Sequence, residues 1–362
     1  MRQGVPPALG KRESAALRIV HVFPGQGDFA VSPLIRALRA HPAVRHTVRE
    51  VFEESEEVAR EFGIAPMAKA LLSDAPPSGR DLAAGPVGTP QLALFCSSMA
   101  VHRALCAAGL APDEVLGVSF GEIAALTAAG VFEVAEGARI ACLLAHQLAR
   151  CPGGLTLLAT GEAGSAALLR RTGSPELALA CINGPDETIV SGPLPRLRAL
   201  EEHAKRQDVP AARLRLPFSS HHPSLTGPAD AFAAAIGPID GRPARVPVRS
   251  AVRGGLYRPG DDVHRGLADC LIRPMRLPPV LRQVTAGGDR ALFFEAGTGR
   301  ALTRSIREVL PPEAAGAHAP LADPDFPWPG PDEPTPRPPH AALATRTALW
   351  SQHDDHAHAT AR

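Results

Sequence analysis

The chain has 362 residues, of which 45% are hydrophobic and 21% are charged, and this is enough for one large domain or two smaller ones. Its 38 Lys and Arg side chains balance 37 Asp and Glu, so charge gives no reason to expect nucleic acid or a membrane surface as a partner. The six cysteines include no Cys-x-x-Cys pair, and neither a signal core nor a membrane-spanning stretch is evident, so we expect a cytoplasmic protein without a zinc site or a disulfide framework.

The first part of the chain is predicted to contain one strand and several helices. Residues 1–17 are expected to be a flexible leader. The strand 18–23 then runs into the Pro/Gly turn 24–27, and a turn of this kind after a buried strand is a common place for an active-site loop in an α/β fold. The elements that follow are predicted helices over 33–40, 44–62 and 89–108 and a loop over 73–88.

The segment Gly117–Glu122 has the pattern of a nucleophile elbow. The apolar residues Val115 and Leu116 precede it, and an Ala/Leu-rich helix follows it. Glycines two residues before and after Ser119 allow a sharp turn in which a Cβ would collide. The serine is expected at a helix N-terminus, where backbone amides favour negative charge. Ser119 is therefore a candidate nucleophile.

After a predicted helix over 134–150, the pattern changes to short strands and helices. Their order is β-α-β-β-α-β, which is the ferredoxin-like arrangement. A small unit of this kind within a larger α/β chain predicts an inserted domain over residues 154–216. The predicted strands are 155–159, 177–182, 188–191 and 212–216, and the predicted helices are 165–171 and 194–205.

The chain is then expected to return to a large α/β domain that comprises residues 18–153 and 217–310. Residues 311–362 contain 11 of the 38 prolines and are predicted to be a disordered tail. Trp328 and Trp350, both in this tail, are alternatively docking anchors. The elements predicted for the returning segment are a helix over 224–236, a strand over 246–252, helices over 261–271 and 278–286, a strand over 290–294 and a helix that ends at 310. Three histidines near the end of the tail are expected to be solvated rather than to bind metal: His353, His356 and His358.

Eight segments of the chain match, in order, seven motifs of one known family. They are Phe23–Gly27 with F-P-G-Q-G, Gln91–Phe95 with Q-P-A-L-F, Gly117–Glu122 with G-H-S-x-G-E, Asn183–Pro185 and Val190–Gly192 with N-G-P…V-S-G, Ser220–Pro223 with S-H-S-P, Arg273–Arg276 with R-P-V-R/F, and Glu295–Gly299 with E-x-G-P-G. The chain thus resembles the acyl-carrier-protein S-acyltransferase family, the malonyl-CoA:ACP transacylases and the acyltransferase domains of polyketide synthases. This resemblance implies a large α/β-hydrolase-like domain with an inserted small ferredoxin-like domain.

The resemblance also implies roles for individual residues. Ser119 would be the nucleophile and His221 the general base, with His222 as the rival base. A backbone carbonyl near residues 270–273 would orient the base in place of an acid. The remaining implied site residues are Gln26 and Phe120, whose backbone amides would form the oxyanion hole, and Gln91, Leu144, Phe218 and Asn183, which would contact the substrate.

The mechanism that the resemblance implies is ping-pong acyl transfer in fatty-acid or polyketide biosynthesis. Ser119 would take an acyl group from acyl-CoA, and the phosphopantetheine thiol of a partner acyl carrier protein would then remove it. Acyl-CoA is a substrate in this scheme and the phosphopantetheine belongs to the partner, so no metal or redox cofactor is expected.

Two residues depart from the family pattern. Val118 replaces the histidine that usually precedes the nucleophile. Leu144, five residues beyond Arg139, falls where members that use malonyl groups carry an arginine, with Ala145 and His146 beside it. A carboxylate buried without a cation loses several kcal/mol, so we expect an uncharged acyl group such as acetyl or a short starter unit.

Three other functions remain open at this point. An acyl-ACP hydrolase would use the same Ser-His pair and differ only in the access of water to the acyl-enzyme. A catalytically weak docking protein is suggested by Val118 and the tryptophan-bearing tail. An ordinary α/β-hydrolase esterase fits least, because no convincing acid follows the serine in the Ser…Asp…His order and the small insert is unexplained.

Overall fold

A computed structural model describes residues 17–328 of the chain, and within this range the strands form two sheets. The strands are β1 (Leu17–Phe23), β2 (Glu114–Gly117), β3 (Gly154–Leu158), β4 (Ala178–Ile182), β5 (Thr188–Gly192), β6 (Ala211–Arg213), β7 (Val248–Ser250), β8 (Gly255–Leu256), β9 (Met275–Arg276), β10 (Arg290–Glu295) and β11 (Ala315–His318). The α-helices are α1 (Val31–Ala40), α2 (Pro42–Glu54), α3 (Glu56–Glu61), α4 (Met67–Leu71), α5 (Gly79–Ala84), α6 (Thr89–Ala107), α7 (Gly121–Ala128), α8 (Val134–Leu148), α9 (Glu162–Thr172), α10 (Leu194–Lys205), α11 (Thr226–Ile236), α12 (Val263–Ile272), α13 (Leu277–Val284) and α14 (Ala301–Val309).

The larger sheet has six strands in the order β11-β10-β1-β2-β7-β8. All neighbouring pairs are parallel except β7 and β8, which are antiparallel. The buried parts of β1 and β10 are apolar except for His21 and Glu295, as expected for parallel strands covered on both faces. Helix α6, buried along most of its length, packs against α2 and α8. This sheet and its helices hold the main hydrophobic core.

The smaller sheet has five strands in the order β6-β3-β5-β4-β9. Its first four strands pair antiparallel and follow one another along the chain as β3-α9-β4-β5-α10-β6. Strand β9 comes from a distant part of the chain and pairs parallel with β4. A second apolar cluster lies between this sheet and the packed helices α9 and α10. The small unit is thus tied to the large one by a shared strand as well as by its two connections.

The prediction of a disordered tail over residues 311–362 is wrong for residues 311–328. Strand β11 pairs parallel with β10 at the edge of the large sheet, and Phe326 and Trp328 are buried. The ring of Phe326 contacts Phe294 of β10 edge-on, at 6.1 Å between centroids. The proline-rich composition of this segment does not indicate the short strand or the aromatic cluster, because each is formed by only a few residues. Trp350, His353, His356 and His358 lie outside the described residues, as does the predicted leader except Leu17, which begins β1.

The predicted loop over residues 73–88 also contains a helix, α5. Ser78 and Asp81 form a capping box, in which each side chain accepts a hydrogen bond from the other residue's backbone N–H. This pairing satisfies two of the unbonded donors at a helix start, so it stabilises a single helical turn that lacks a periodic apolar pattern. Within residues 17–328, no helix combines the length and apolarity needed to cross a bilayer.

The aromatic cluster beyond residue 311 should contribute to the stability of the fold. Replacing Phe326 by Ala removes a buried ring and should lower the free energy of unfolding by about 3 kcal/mol. Chemical denaturation of the full chain measures this loss. The exposed neighbour Asp325 is the control, since Asp325→Ala should change stability by less than about 0.5 kcal/mol. Equal effects of the two changes would show that the segment does not pack on β10.

Candidate active site

Ser119 lies in a sharp turn between the end of β2 and the start of α7. Its φ of 55° is in the left-handed region, which a residue other than glycine rarely adopts. The glycines on either side are required by close contacts. A Cβ on Gly121 would collide with the carbonyl oxygen of Phe23, and one on Gly117 would collide with the backbone of Glu122. At the predicted elbow, chain segments therefore cross so closely that Gly117 and Gly121 have no room for a side chain.

The hydroxyl of Ser119 is in hydrogen-bond contact with the imidazole of His221. Ser119 Oγ lies 2.7 Å from His221 Nε2, and His221 Nδ1 lies 2.8 Å from the carbonyl oxygen of Arg273. A carbonyl only accepts, so Nδ1 carries the proton and Nε2 is free to accept the serine proton. The pair thus has the arrangement of a nucleophile and its base, with a backbone carbonyl in the position of the third group.

Burial sets the protonation state of this histidine. His221 is 2% exposed, and burial lowers its pKa to about 4, although the hydrogen bond to the Arg273 carbonyl opposes the shift. At neutral pH the imidazole is consequently uncharged and can act as a base. The φ of His221 is also positive, at 52°, so both members of the pair are held in an uncommon backbone conformation.

His222, the alternative base, faces away from the serine. Its Nδ1 lies 2.7 Å from Ser224 Oγ, and its Nε2 lies 3.0 Å from the carbonyl oxygen of Glu176. Both ring nitrogens are thus occupied, Nδ1 by the loop that follows His221 and Nε2 by Glu176 of the small unit. The structure therefore brings Ser119 together with His221 and not with His222.

The turn after β1 lies against the serine. A Cβ on Gly25 would be 4.0 Å from Ser119 Oγ, and Gln26 begins a single 3-10 turn directly after it. Phe120 is the N-cap residue of α7. Among the hydrogen bonds of the described residues, the backbone N–H groups of Gln26 and Phe120 have no protein acceptor. Both groups are thus available to a ligand.

A cavity of about 220 Å³ opens next to Ser119 and His221, between the two sheets. Val118, Phe218 and Asn183 line it, whereas Gln91 and Leu144 are not among its lining residues. Gln91 instead donates a hydrogen bond from Nε2 to the side-chain oxygen of Gln26 at 2.7 Å, and Leu144 is buried in the main core. The apolar lining residues of the small unit and its edges are Leu155, Leu157, Cys181, Ile189, Leu214, Leu216 and Met275.

Directly behind the elbow, the buried carboxyl group of Glu122 forms part of a polar cluster. Ser250 Oγ donates a hydrogen bond to it at 2.6 Å, and the hydroxyl of Tyr257 donates another. Burial raises the pKa of Glu122 to about 7, although both hydrogen bonds oppose the shift. The sequence motif around Ser119 includes Glu122, whereas Ser250 and Tyr257 belong to no motif and were not predicted. The chain has a single tyrosine, which is the only sequence signal that could have drawn attention to the cluster.

His21, His102 and Cys106 are the described residues whose geometry approaches that of a metal site, with ligand atoms within 4.8 Å of one another. His21 Nε2 lies 2.8 Å from the carbonyl oxygen of Leu110, and its Nδ1 lies 2.9 Å from His102 Nδ1. One tautomer of each ring satisfies both bonds. Burial lowers the pKa of both histidines, so two neutral rings that share hydrogen bonds account for the cluster.

Comparison with known proteins agrees with this fold and geometry. Residues 20–261 match the family model described as an acyl transferase domain, and the chain belongs to that family. It is 31% identical over 318 residues to the spectinabilin polyketide synthase system protein NorA' of Streptomyces orinoci. That match covers 84% of this chain and 8% of the synthase protein, so the chain corresponds to a small part of such a relative.

Solved structures show the same fold. The acyltransferase domain of SpnD in complex with 2-(pent-4-yn-1-yl)malonyl superposes with a TM-score of 0.74 at 24% identity, over 97% of this chain and 79% of that one. The malonyl-CoA:acyl carrier protein transacylase of Xanthomonas oryzae pv. oryzae gives 0.73 at 24% identity, over 86% and 96%. The family and the α/β fold class predicted from the motifs are confirmed.

The raised pKa of Glu122 should be visible in stability measurements. The folded state keeps this proton up to about pH 7, whereas the unfolded chain loses it near pH 4.5. The wild type therefore loses stability as pH rises between these values, and Glu122→Gln should lack this loss. The stability of the variant relative to wild type should increase by about 2 to 3 kcal/mol between pH 5 and pH 7.5.

Denaturant titrations at several pH values test this prediction. The exposed Glu57 provides the control, because Glu57→Gln should keep the same stability difference from wild type at every pH. The absolute stability of Glu122→Gln is not diagnostic, since an amide cannot accept from both hydroxyls as the carboxylate does. A flat difference for Glu122→Gln would mean that Glu122 ionises normally in the folded protein.

Proposed function

We propose that this chain transfers an acyl group from a CoA thioester to the phosphopantetheine thiol of an acyl carrier protein, by a ping-pong mechanism in polyketide or fatty-acid biosynthesis. The observation that carries the proposal is the contact of Ser119 Oγ with His221 Nε2 at 2.7 Å, with His221 oriented by the Arg273 carbonyl. Membership of the acyl transferase domain family supports it.

In the first half-reaction, Ser119 Oγ attacks the thioester carbon while His221 Nε2 takes the serine proton. The carbon–sulfur bond then breaks, the CoA sulfur receives the proton from Nε2, and an ester remains on Ser119. In the second half-reaction, His221 takes the proton of the carrier thiol, whose sulfur attacks the ester. Ser119 recovers its proton as the new thioester leaves. Each step needs a neutral histidine at its start, as the lowered pKa of His221 provides.

The backbone amides of Gln26 and Phe120 are proposed to bind the oxyanion of the tetrahedral intermediates. Three observations support this role. Phe120 lies at a helix start, and the Gly25-Gln26 turn lies against Ser119. Among the described residues, neither N–H has a protein acceptor. The loss of one such donor in other enzymes costs about 3 to 4 kcal/mol of transition-state stabilisation.

The acyl group is proposed to be uncharged. Leu144 lies buried in the main core at the position where the resemblance places the carboxylate-binding arginine, and nearby Arg139 forms an ion pair with Glu61 at the surface. Most of the surface of the cavity next to Ser119 is apolar, and Phe218, three residues before the base, contributes to it. Burial of a malonyl carboxylate in these surroundings would be unfavourable, whereas an acetyl or short alkyl group would be desolvated at little cost.

The small unit is proposed to be a ferredoxin-like insertion over residues 154–216, which places the cavity between two domains of the chain. The strand order β6-β3-β5-β4 and the chain order β3-α9-β4-β5-α10-β6 support this assignment. A cleft between a large and a small unit is a common location for a ligand site. An acyl chain held on Ser119 would thus contact side chains from both units.

Loading of the enzyme with acyl groups tests the proposed function directly. Acetyl-CoA should add an acetyl mass to the intact wild type at Ser119, and the adduct should be absent in Ser119→Ala. Malonyl-CoA should load at least about tenfold more slowly, which corresponds to about 1.4 kcal/mol. Intact-protein mass spectrometry at early times measures both rates.

The fate of the adduct separates the remaining functions. Added pantetheine, as a probe for the carrier thiol, should remove the acetyl group as a thioester much faster than water releases acetate. Release of acetate at the same rate with and without the thiol would identify an acyl hydrolase instead. Absence of an adduct with either CoA ester would favour a docking protein without acyl-transfer activity.

The pH dependence of acylation should reflect the buried histidine. Because protonated His221 cannot accept the serine proton, the rate of acetyl loading at low substrate concentration should fall only as pH drops below about 5, in line with a pKa of about 4. Circular dichroism at each pH ensures that the decline is not due to unfolding. An acid limb centred at 6.5 or above would contradict the proposed environment of His221.

A further inference from the structure

An ion pair spans the cleft at the cavity. Glu187 lies in the turn between β4 and β5 of the small sheet, and Arg304 lies on α14 of the large unit. Arg304 donates a hydrogen bond from a terminal guanidinium nitrogen to Glu187 Oε2 at 2.6 Å, and Asn183 Nδ2 donates to Glu187 Oε1 at 2.8 Å. Both carboxylate oxygens are thus occupied, and all three residues line the cavity.

Arg304 is the sole lysine or arginine among the described residues that line this cavity. Its side chain is 55% exposed, so the guanidinium could reach a ligand, but Glu187, whose side chain is 19% exposed, binds it. A second carboxylate, that of Glu308, lies 3.8 Å from Arg304 Nε. The positive charge is therefore neutralised within the protein before any substrate enters.

A second electropositive feature of the cavity wall, beside Arg304, is neutralised in the same way. The backbone N–H groups of Arg300 and Ala301, at the start of α14, both donate to Asp28 Oδ2 at 2.8 Å. A helix start with unbonded amides attracts anions, but here a side chain that itself lines the cavity takes that position. The charged side chains of the wall are then two carboxylates and one paired guanidinium, beside the neutral His221 and Cys181.

We propose that Glu187 is a selectivity residue for the acyl group: by holding Arg304 it denies substrate carboxylates the cation that they need, and so excludes malonyl and related dicarboxylic acyl groups. The inference rests on the proposed function, since it concerns the group that Ser119 carries. A malonyl carboxylate in this cavity would face the carboxylates of Asp28 and Glu187 without a free cation, and these like charges would repel it. An uncharged acyl group meets no such repulsion.

Removal of the charge at Glu187 should therefore change the selectivity. Glu187→Gln keeps an oxygen that can accept from Asn183 and releases the guanidinium of Arg304 into the cavity. The ratio of malonyl to acetyl loading rates on Ser119 should rise at least about tenfold. Glu308→Gln is the matched control, because it removes the other carboxylate near Arg304 without altering the cavity wall, and it should leave the ratio within about twofold of wild type.

The gain must depend on the released cation. The double variant Glu187→Gln/Arg304→Gln should return the ratio to that of the wild type. Arg304→Met alone should leave the wild-type ratio unchanged, because Arg304 binds no substrate while Glu187 holds it. Arg304→Met also tests the inference if Glu187→Gln does not fold. A tenfold loss of malonyl loading in Arg304→Met would show that Arg304 already binds the malonyl carboxylate in the wild type. That result would overturn the inference.

Loading with acetyl-CoA distinguishes a failure of this inference from a failure of the proposed function. If the wild type loads neither CoA ester, the proposed function itself fails. If acetyl loads but Glu187→Gln leaves the malonyl to acetyl ratio unchanged, or the double variant retains the gain, the selectivity role of Glu187 fails and the acyl-transfer proposal stands. A wild type that loads malonyl as fast as acetyl would contradict both the role of Glu187 and the proposed preference for an uncharged acyl group, but not acyl transfer itself.

Discussion

The structure depends on one steric constraint, the crossing of three backbone segments beneath Ser119. The end of β1 passes so close to Gly121 that the carbonyl of Phe23 occupies the space of a side chain, and Gly117 is equally close to Glu122. Backbone hydrogen bonds fasten the crossing, from Val118 to Phe23 and from Ala251 to Gly117. The serine is thereby held in a left-handed conformation that it would not adopt alone. The groups that contact Ser119 have their positions set relative to this crossing.

Features that depend on neighbours in sequence could be predicted, and those that depend on distant neighbours could not. The glycines around Ser119 and the alternating short elements of the small unit indicate the elbow and the α/β class from local pattern alone. The carbonyl of Arg273 has no sequence signature of its own, and only the family resemblance pointed to its region. The contact of Glu187 with Arg304 joins residues 117 positions apart, and no pattern relates them. The composition of the segment led to the wrong prediction for β11, because this four-residue edge strand is stabilised by its pairing with β10 rather than by its own residues.

The cavity brings together the Ser119–His221 pair and an aliphatic lining that come from different parts of the fold. Ser119 and its neighbours belong to the large unit, whereas most of the aliphatic lining comes from the small unit. This division allows the lining to vary without disturbing the crowded crossing below the serine, where any added atom would collide. The polar cluster of Glu122, Ser250 and Tyr257 supports the crossing from the opposite side and is shielded from the ligand.

The short strand β9 gives the small sheet a mechanical connection to the base. Met275, the first residue of β9, pairs with Cys181 of β4 and follows only two residues after Arg273, whose carbonyl orients His221. A displacement of the small sheet, for example by an acyl chain that wedges the cleft open, would be transmitted along these residues and would pull the carbonyl away from the imidazole. The fit of the acyl chain and the basicity of the histidine are thus coupled through a single stretch of backbone, so a poorly fitting substrate would also be a slowly reacting one.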